Sequence, residues 1–229
     1  MENNIDFETY LFISPKKLII SVNSESNKKI YEEELKVDQD LDQLDYKKLD
    51  YFLNENIFKI EKYLKDFVKK IFVIIDLNQF FTVKISVKKN SYENYLYSKN
   101  LNYLLNEAKD CCKETIDKMK IIHMVIENYQ INDKSHSSLP KNFEENISSI
   151  DVKFICLSNV LIRKIEEILK KYQISINQLV SANYIHDFLT SDEKNMFIMT
   201  KRILEGQNPN EVLFTKKINK NRGFFEKFF

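Results

Sequence analysis

VKFICLSNVLIRKIEEILKKYQISINQLVSANY, residues 152–184, decides the fold. Its first six residues form a short run of β-branched and aromatic side chains, which reads as a strand. The period then changes: Leu161, Ile162, Ile165, Ile168 and Leu169 recur at helical spacing, and Ser158 stands where an N-cap belongs. Residues 174–180 return to a strand pattern. A strand–helix–strand unit needs a helix packed on a sheet, which places the chain among α/β or α+β proteins.

The same alternation extends outward. Residues 121–131 (IIHMVIENYQI) predict a long strand, followed by a polar loop over 132–146 around Pro140. Before it, Leu101, Leu104, Leu105, Ala108, Cys112 and Ile116 mark a helix. Residues 80–88 alternate like a half-exposed strand, and 71–77 (IFVIIDL) form a nearly continuous apolar run suited to burial on both faces. Residues 46–70 predict a helix whose inner stripe holds Leu49, Phe52, Leu53, Ile60, Leu64, Phe67 and Val68. At the N-terminal end, 11–22 read as a strand broken at Pro15, with 30–37 pairing back as a hairpin. At the other end, Ser191 is expected to cap a last helix, with Asp192 and Glu193 at its positive end and Gly206 terminating it.

Composition narrows the function. The 229 residues include two glycines, Gly206 and Gly223. Before residue 206 there is therefore no glycine-rich turn to bring backbone N–H groups close to a phosphate. Hydrophobic residues make up 43% and charged residues 30%, which predicts a folded chain of one medium or two small domains. A net charge of +1 gives no general affinity for nucleic acid, and none is expected as a partner. Cys111, Cys112 and Cys156, an odd number without metal-ligand spacing, are expected to be reduced thiols. The start, MENNIDFETY, has no apolar segment of a signal peptide, and no run approaches the ~20 residues of a membrane span, so a cytoplasmic location is expected.

Residues that could carry catalysis are few. His123 sits mid-strand between apolar neighbours, a setting that favours a structural histidine over a general base. His136 and His186 lack partners at ligand spacing, and Ser135, Ser137 and Ser138 lack the strand–turn–helix setting of a nucleophile elbow. A pocket joining His123, Asp133 and another acid or thiol would favour a small α/β enzyme.

The segments KIIHMVIENYQIND, LPKNFEEN, VKFICLS and the helix–strand that follows resemble the bacterial cell-division protein FtsA, a member of the actin-like family. The resemblance is carried by Ile122, His123, Tyr129 and Asp133, by the Pro140 loop, and by Ile174, Ile176, Leu179, Val180, Ser181 and Ala182. It extends over roughly residues 8–195. It implies an α/β fold: a first actin-like lobe (8–79 and 158–190) with an inserted strand–helix–strand–strand, SHS2-like subdomain (80–157). A C-terminal helix and linker (191–211) and a tail (212–229) would follow. The family's second lobe has no counterpart here. The family's first phosphate motif, Asp-x-Gly-Thr, falls on Phe12, Ile13, Ser14 and Pro15, so the acid, the glycine and the threonine are all missing. Asn142 and Glu145 stand for loop glycines. The resemblance therefore implies a degenerate nucleotide site, no cofactor, no metal and no catalysis.

What remains is a scaffold working by protein–protein contacts. Divisome proteins are the expected partners, with FtsZ doubtful because the lobe that binds it is absent, and self-association is possible in such a family. The tail, FTKKINKNRGFFEKFF, resembles the basic amphipathic helix by which FtsA relatives lie on the inner face of the cytoplasmic membrane. Lys220, Arg222, Phe224, Phe225, Lys227, Phe228 and Phe229 are its candidate contacts with an anionic membrane surface. A pilus-assembly scaffold with the same small subdomain is the alternative within the class.

Overall fold

A computed structural model describes residues 7–37, 43–89, 101–140, 147–190 and 193–213. The chain runs β1 (Phe7–Ile13), β2 (Lys17–Ser24), β3 (Lys29–Lys36), α1 (Tyr46–Leu64), β4 (Lys70–Ile75), β5 (Phe81–Lys88), α2 (Leu101–Thr115), β6 (Met119–Ile131), β7 (Lys134–His136), β8 (Ile147–Ser158), α3 (Asn159–Lys171), β9 (Ser175–Ser181), α4 (Ala182–His186) and α5 (Met196–Leu204). Two sheets result, one in the order β3-β2-β1-β4-β9 and one in the order β5-β8-β6-β7.

The stretch 11–22 folds as two strands. Pro15 has no N–H for a ladder, so the chain turns there and β2 runs back antiparallel to β1, with β3 antiparallel to β2 as expected. β4 then lies parallel to β1, and β9 parallel to β4. Alternation along β1 divides the core. Leu11 and Ile13 join Leu49, Leu53 and Ile60 of α1 and Leu161, Ile165 and Leu169 of α3 on one face. Tyr10 and Phe12 join Tyr184 and Ile185 of α4 and Phe197, Met199 and Ile203 of α5 on the other. The apolar run of β4 serves both faces: Ile71, Val73 and Ile75 point one way and Ile74 the other.

The second sheet is antiparallel and built in the order strand, helix, strand, strand, with the short β7 added. α2 covers one face, where Leu104, Ala108 and Cys112 meet Met124, Ile126, Phe154 and Cys156. From the other face Val125 and Ile155 enter the cluster of Tyr10 and Phe12, so the two sheets share an apolar layer.

Three expectations are corrected. Phe67 is 69% exposed and lies beyond the helix, because Lys65 turns into the left-handed region (φ 56°) and ends α1. The last helix begins at Met196, where Asn195 Oδ1 accepts the N–H groups of Phe197 and Ile198; the chain thus has a cap four residues after Ser191. Glu193 Oε1 accepts the Asn195 N–H just before it. The polar stretch after β6 is in part a hairpin, with β7 folded back on β6. Ser191, Asp192, Asn142 and Glu145 lie outside the described residues. Ser158 caps α3 through the Val160 N–H, and Gly206 follows α5 at φ 95°, its N–H donated to the Ile203 carbonyl.

Candidate functional site

The turn after β1 stands where the phosphate motif was expected. Ser14 N–H and Ser14 Oγ–H both donate to the Lys17 carbonyl at 3.0 Å, and Lys17 N–H donates back to Ser14 Oγ at 2.9 Å. Outside the turn, the Lys16 carbonyl accepts from Val37 N–H and the Ile13 carbonyl from Asp76 N–H. Pro15 has no N–H, and the Ser14 and Lys17 amides are bonded within the turn and so are not free to cradle a phosphate. Phe12, 2% exposed, fills the apolar layer where an acid would hold a metal-bound nucleotide, and the Lys17 ammonium sits 5.3 Å from its ring centre. The backbone of the turn is thus not arranged as a phosphate cradle, while Lys16, Lys17, Asp76 and Asn78 line a cleft of about 350 Å³ beside it.

A second polar centre lies where β6, β9, α4 and the chain after α5 meet. Ser181 N–H donates to His123 Nε2 at 3.0 Å, so Nδ1 carries the proton that bridges to Glu211 Oε1 at 2.7 Å. Tyr184 O–H donates to Glu211 Oε2 at 2.8 Å and itself accepts from Asn208 Nδ2. The His123 and Tyr184 rings pack 4.2 Å apart, and burial pushes the Tyr184 phenol well above its usual range. Both carboxylate oxygens are occupied in a site where the Glu211 side chain is 4% exposed. Residues 210–212 extend the attachment by backbone bonds to β6: Ile126 N–H to the Asn210 carbonyl and Val212 N–H to the Met124 carbonyl. The network closes on itself, as a structural histidine requires. It fastens the end of the described chain across the two sheets.

Beside this junction a cleft of about 560 Å³ opens between the sheets. One wall is the outer side of β9, from Ser175 to Leu179, and the other is Lys120–Ile122 of β6, with Val212 and Leu213 at one end and Lys70 and Glu166 at the rim. β9 is the edge of its sheet; among the described residues no strand pairs with its outer side. Unpaired edge N–H and C=O groups facing an open cleft are what an added extended segment needs.

The remaining candidates are scattered. Asp133 lies in the turn at the far end of β6, roughly 30 Å along the strand from His123, and the two are not brought together. His186 is exposed at the end of α4, and His136 pairs with Tyr129 in the β6–β7 hairpin. Burial raises the Cys156 thiol to about 12, far from a reactive thiolate. Among the described residues no group of His, Cys, Asp or Glu is placed to hold a metal, and no helix is long and apolar enough to cross a membrane. Lys220, Arg222, Phe224, Phe225, Lys227, Phe228 and Phe229 lie outside the described residues. Sequence reading missed Glu211, whose partners lie 27 and 88 residues away and leave no local pattern.

No protein-family model matches the chain, and no curated protein matches it by sequence. Solved structures do. A chain of the PilM–PilN type IV pilus biogenesis complex matches with a TM-score of 0.50 and 8% identity, over 86% of this chain and 51% of that one. The cytoplasmic domain of EpsL, an inner membrane component of the type II secretion system of Vibrio cholerae, matches with a TM-score of 0.37 and 14% identity, over 79% and 57%. A Bacteroides thetaiotaomicron protein with an actin-like ATPase fold and unknown function matches with a TM-score of 0.32 and 12% identity, over 81% and 56%. The chain spans about half the length of each of these three structures. At 8% identity the PilM–PilN likeness shows the fold alone, a mixed α/β arrangement of two sheets and the helices that cover them.

Proposed function

We propose that the chain is a non-catalytic scaffold of the cell-division machinery, similar to FtsA, that works without nucleotide at the inner face of the cytoplasmic membrane by holding a segment of another protein. The observation that carries this reading is the open edge of β9 facing β6 across the cleft. A partner's extended segment entering there gains main-chain hydrogen bonds from the edge and side-chain contacts from Ile122, Ile176 and Leu179. The self-satisfied turn at Ser14–Lys17 and the buried Phe12 support the absence of nucleotide. The sequence resemblance at Ile122–Asp133 and Ile174–Ala182 favours division proteins as the partners.

A second reading has its own support. The fold likeness to a chain of the PilM–PilN complex favours a pilus-type assembly, in which the cleft would take a segment of a membrane-bound partner.

A fluorescent fusion of the full chain in growing cells separates the two. Accumulation at the division site is expected, and Ile176→Arg, a half-buried change in the cleft wall, disperses it while the purified variant still melts cooperatively. Foci that follow pilus assemblies instead establish the second reading. Uniform fluorescence, or saturable binding of ATP with magnesium, overturns the proposal.

A further inference from the structure

Exposed aromatic side chains are concentrated on α1 and the loop that follows it. Tyr51, Phe58, Tyr63 and Phe67 are 61%, 72%, 69% and 69% exposed. The inner face of the same helix is filled by Leu49, Phe52, Leu53, Ile57 and Ile60, so these rings are surplus to the core. Tyr51 and Phe58 stand two turns apart on one outward stripe, with Lys47 before them and Lys62 after. Around the C-terminal end, FKIEKYLKDFVKK (58–70) carries five lysines, all exposed, against Glu61 and Asp66, a net of three positive charges. The two acids are turned to the backbone: Glu61 accepts the Val68 N–H and Asp66 the Phe67 N–H. Lys59 pairs with Glu55 at 4.0 Å on the same helix, and the ammonium groups of Lys62, Lys65 and Lys69 stand around the projecting rings.

Where the chain leaves the described fold strengthens the point. Leu213, 40% exposed, lines the same cleft as Lys70. The described chain therefore ends at the cleft that Lys70, the last lysine of that segment, also lines.

We propose that the outward face of α1 and its following loop, centred on Phe58, Lys62, Lys65, Phe67 and Lys69, is a second contact with an anionic lipid surface. The lysines meet the headgroups, the rings enter the interface between headgroups and acyl chains, and the exit of the chain at Leu213 is held on the same side. This rests on the membrane location proposed above and assigns the orientation: sheet β3-β2-β1-β4-β9 lies against the lipid through α1, and the cleft opens at its border.

The sequence contains no tryptophan, so a single one is a clean reporter. The full chain carrying Phe67→Trp or Phe58→Trp is mixed with phosphatidylglycerol–phosphatidylcholine vesicles, and with phosphatidylcholine vesicles as control. Co-sedimentation with the anionic vesicles and a shift of emission to shorter wavelength are expected at both positions. Phe81→Trp, 50% exposed on β5 in the other sheet, is expected to show no shift. Lys62→Ala with Lys65→Ala and Lys69→Ala lowers the partition coefficient by about a hundredfold, at about fivefold per lysine. Serine at Phe224, Phe225, Phe228 and Phe229 removes the tail's share and leaves the Phe67→Trp shift in the bound fraction. Sedimentation with no shift at Phe58→Trp or Phe67→Trp overturns the α1 contact and leaves the tail as anchor. No sedimentation of the unaltered chain overturns the membrane location itself.

Discussion

The turn after β1 and the junction around Glu211 border the same apolar layer, through Phe12 in one case and Tyr184 in the other. Both are polar and hydrogen-bonded, yet they differ in range. The turn joins Ser14 to Lys17, three residues apart. The junction joins Ser181 to His123 across 58 residues, His123 to Glu211 across 88 and Tyr184 to Glu211 across 27. A local turn forms from its own few residues and costs little chain entropy. A junction of distant residues exists only once both sheets are in place, so its loss leaves buried groups stranded.

The comparison ranks substitutions. Phe12→Asp, which places the acid that the FtsA resemblance expects at this position, is expected to have the largest effect. It removes a buried ring, at about 3–5 kcal/mol, and leaves a carboxylate without a partner in the apolar layer. Denaturant unfolding measures it, and a stable Phe12→Asp protein that binds ATP with magnesium would break the contrast between the two sites. Glu211→Ala comes next: the His123 Nδ1–H and the Tyr184 O–H each lose a buried acceptor, at about 1–3 kcal/mol apiece. Glu211→Gln keeps one acceptor oxygen and is expected to lose less; equal losses would mean that charge, not hydrogen bonding, holds the junction. Ser14→Ala removes bonds made only within the turn and is expected to cost about 1 kcal/mol.

The smallest effect belongs to a surface pair that bridges α1 and α3. The Lys171 ammonium donates to Asp50 at 2.7 Å and, with Tyr172 O–H, holds the carboxyl below its usual range. A carboxyl lowered by folding adds stability above its unfolded value, about 3.9, and that stability disappears as pH falls through the folded value. Lys171→Ala is expected to cost about 0.2–1 kcal/mol at neutral pH, since the pair is exposed to solvent. Urea midpoints of the two proteins should begin to approach each other as pH falls past about 4 and meet once pH is below the folded value; a gap that persists in stronger acid would assign the effect to packing of the lysine stem.

What could be read in the sequence follows the same division by range. Ser158 as a cap, Gly206 as a helix end and the double-sided burial of β4 are local patterns, and each is found. The inner stripe of α1 is found up to Leu64 and fails at Phe67, because periodicity continues on paper after Lys65 has taken φ 56°. Asn195 and Ser191 are both good caps by residue type, and only packing of Phe197 and Ile203 selects where the helix begins. The burial of His123 was legible from its apolar neighbours, while its bonds to Glu211 and Ser181 were not.

By itself, the sequence determined the alternation of strands and helices and the lack of glycine for a phosphate loop before residue 206. These are properties of neighbouring residues, set by periodicity and by backbone conformations that only certain side chains permit. The tertiary structure alone decided that β9 is an open edge among the described residues, that Glu211 locks the chain across both sheets, and that the rings of Tyr51, Phe58 and Phe67 face outward. Each of these depends on which elements become neighbours, and that is settled by burying the most apolar surface, not by any one segment's own preference.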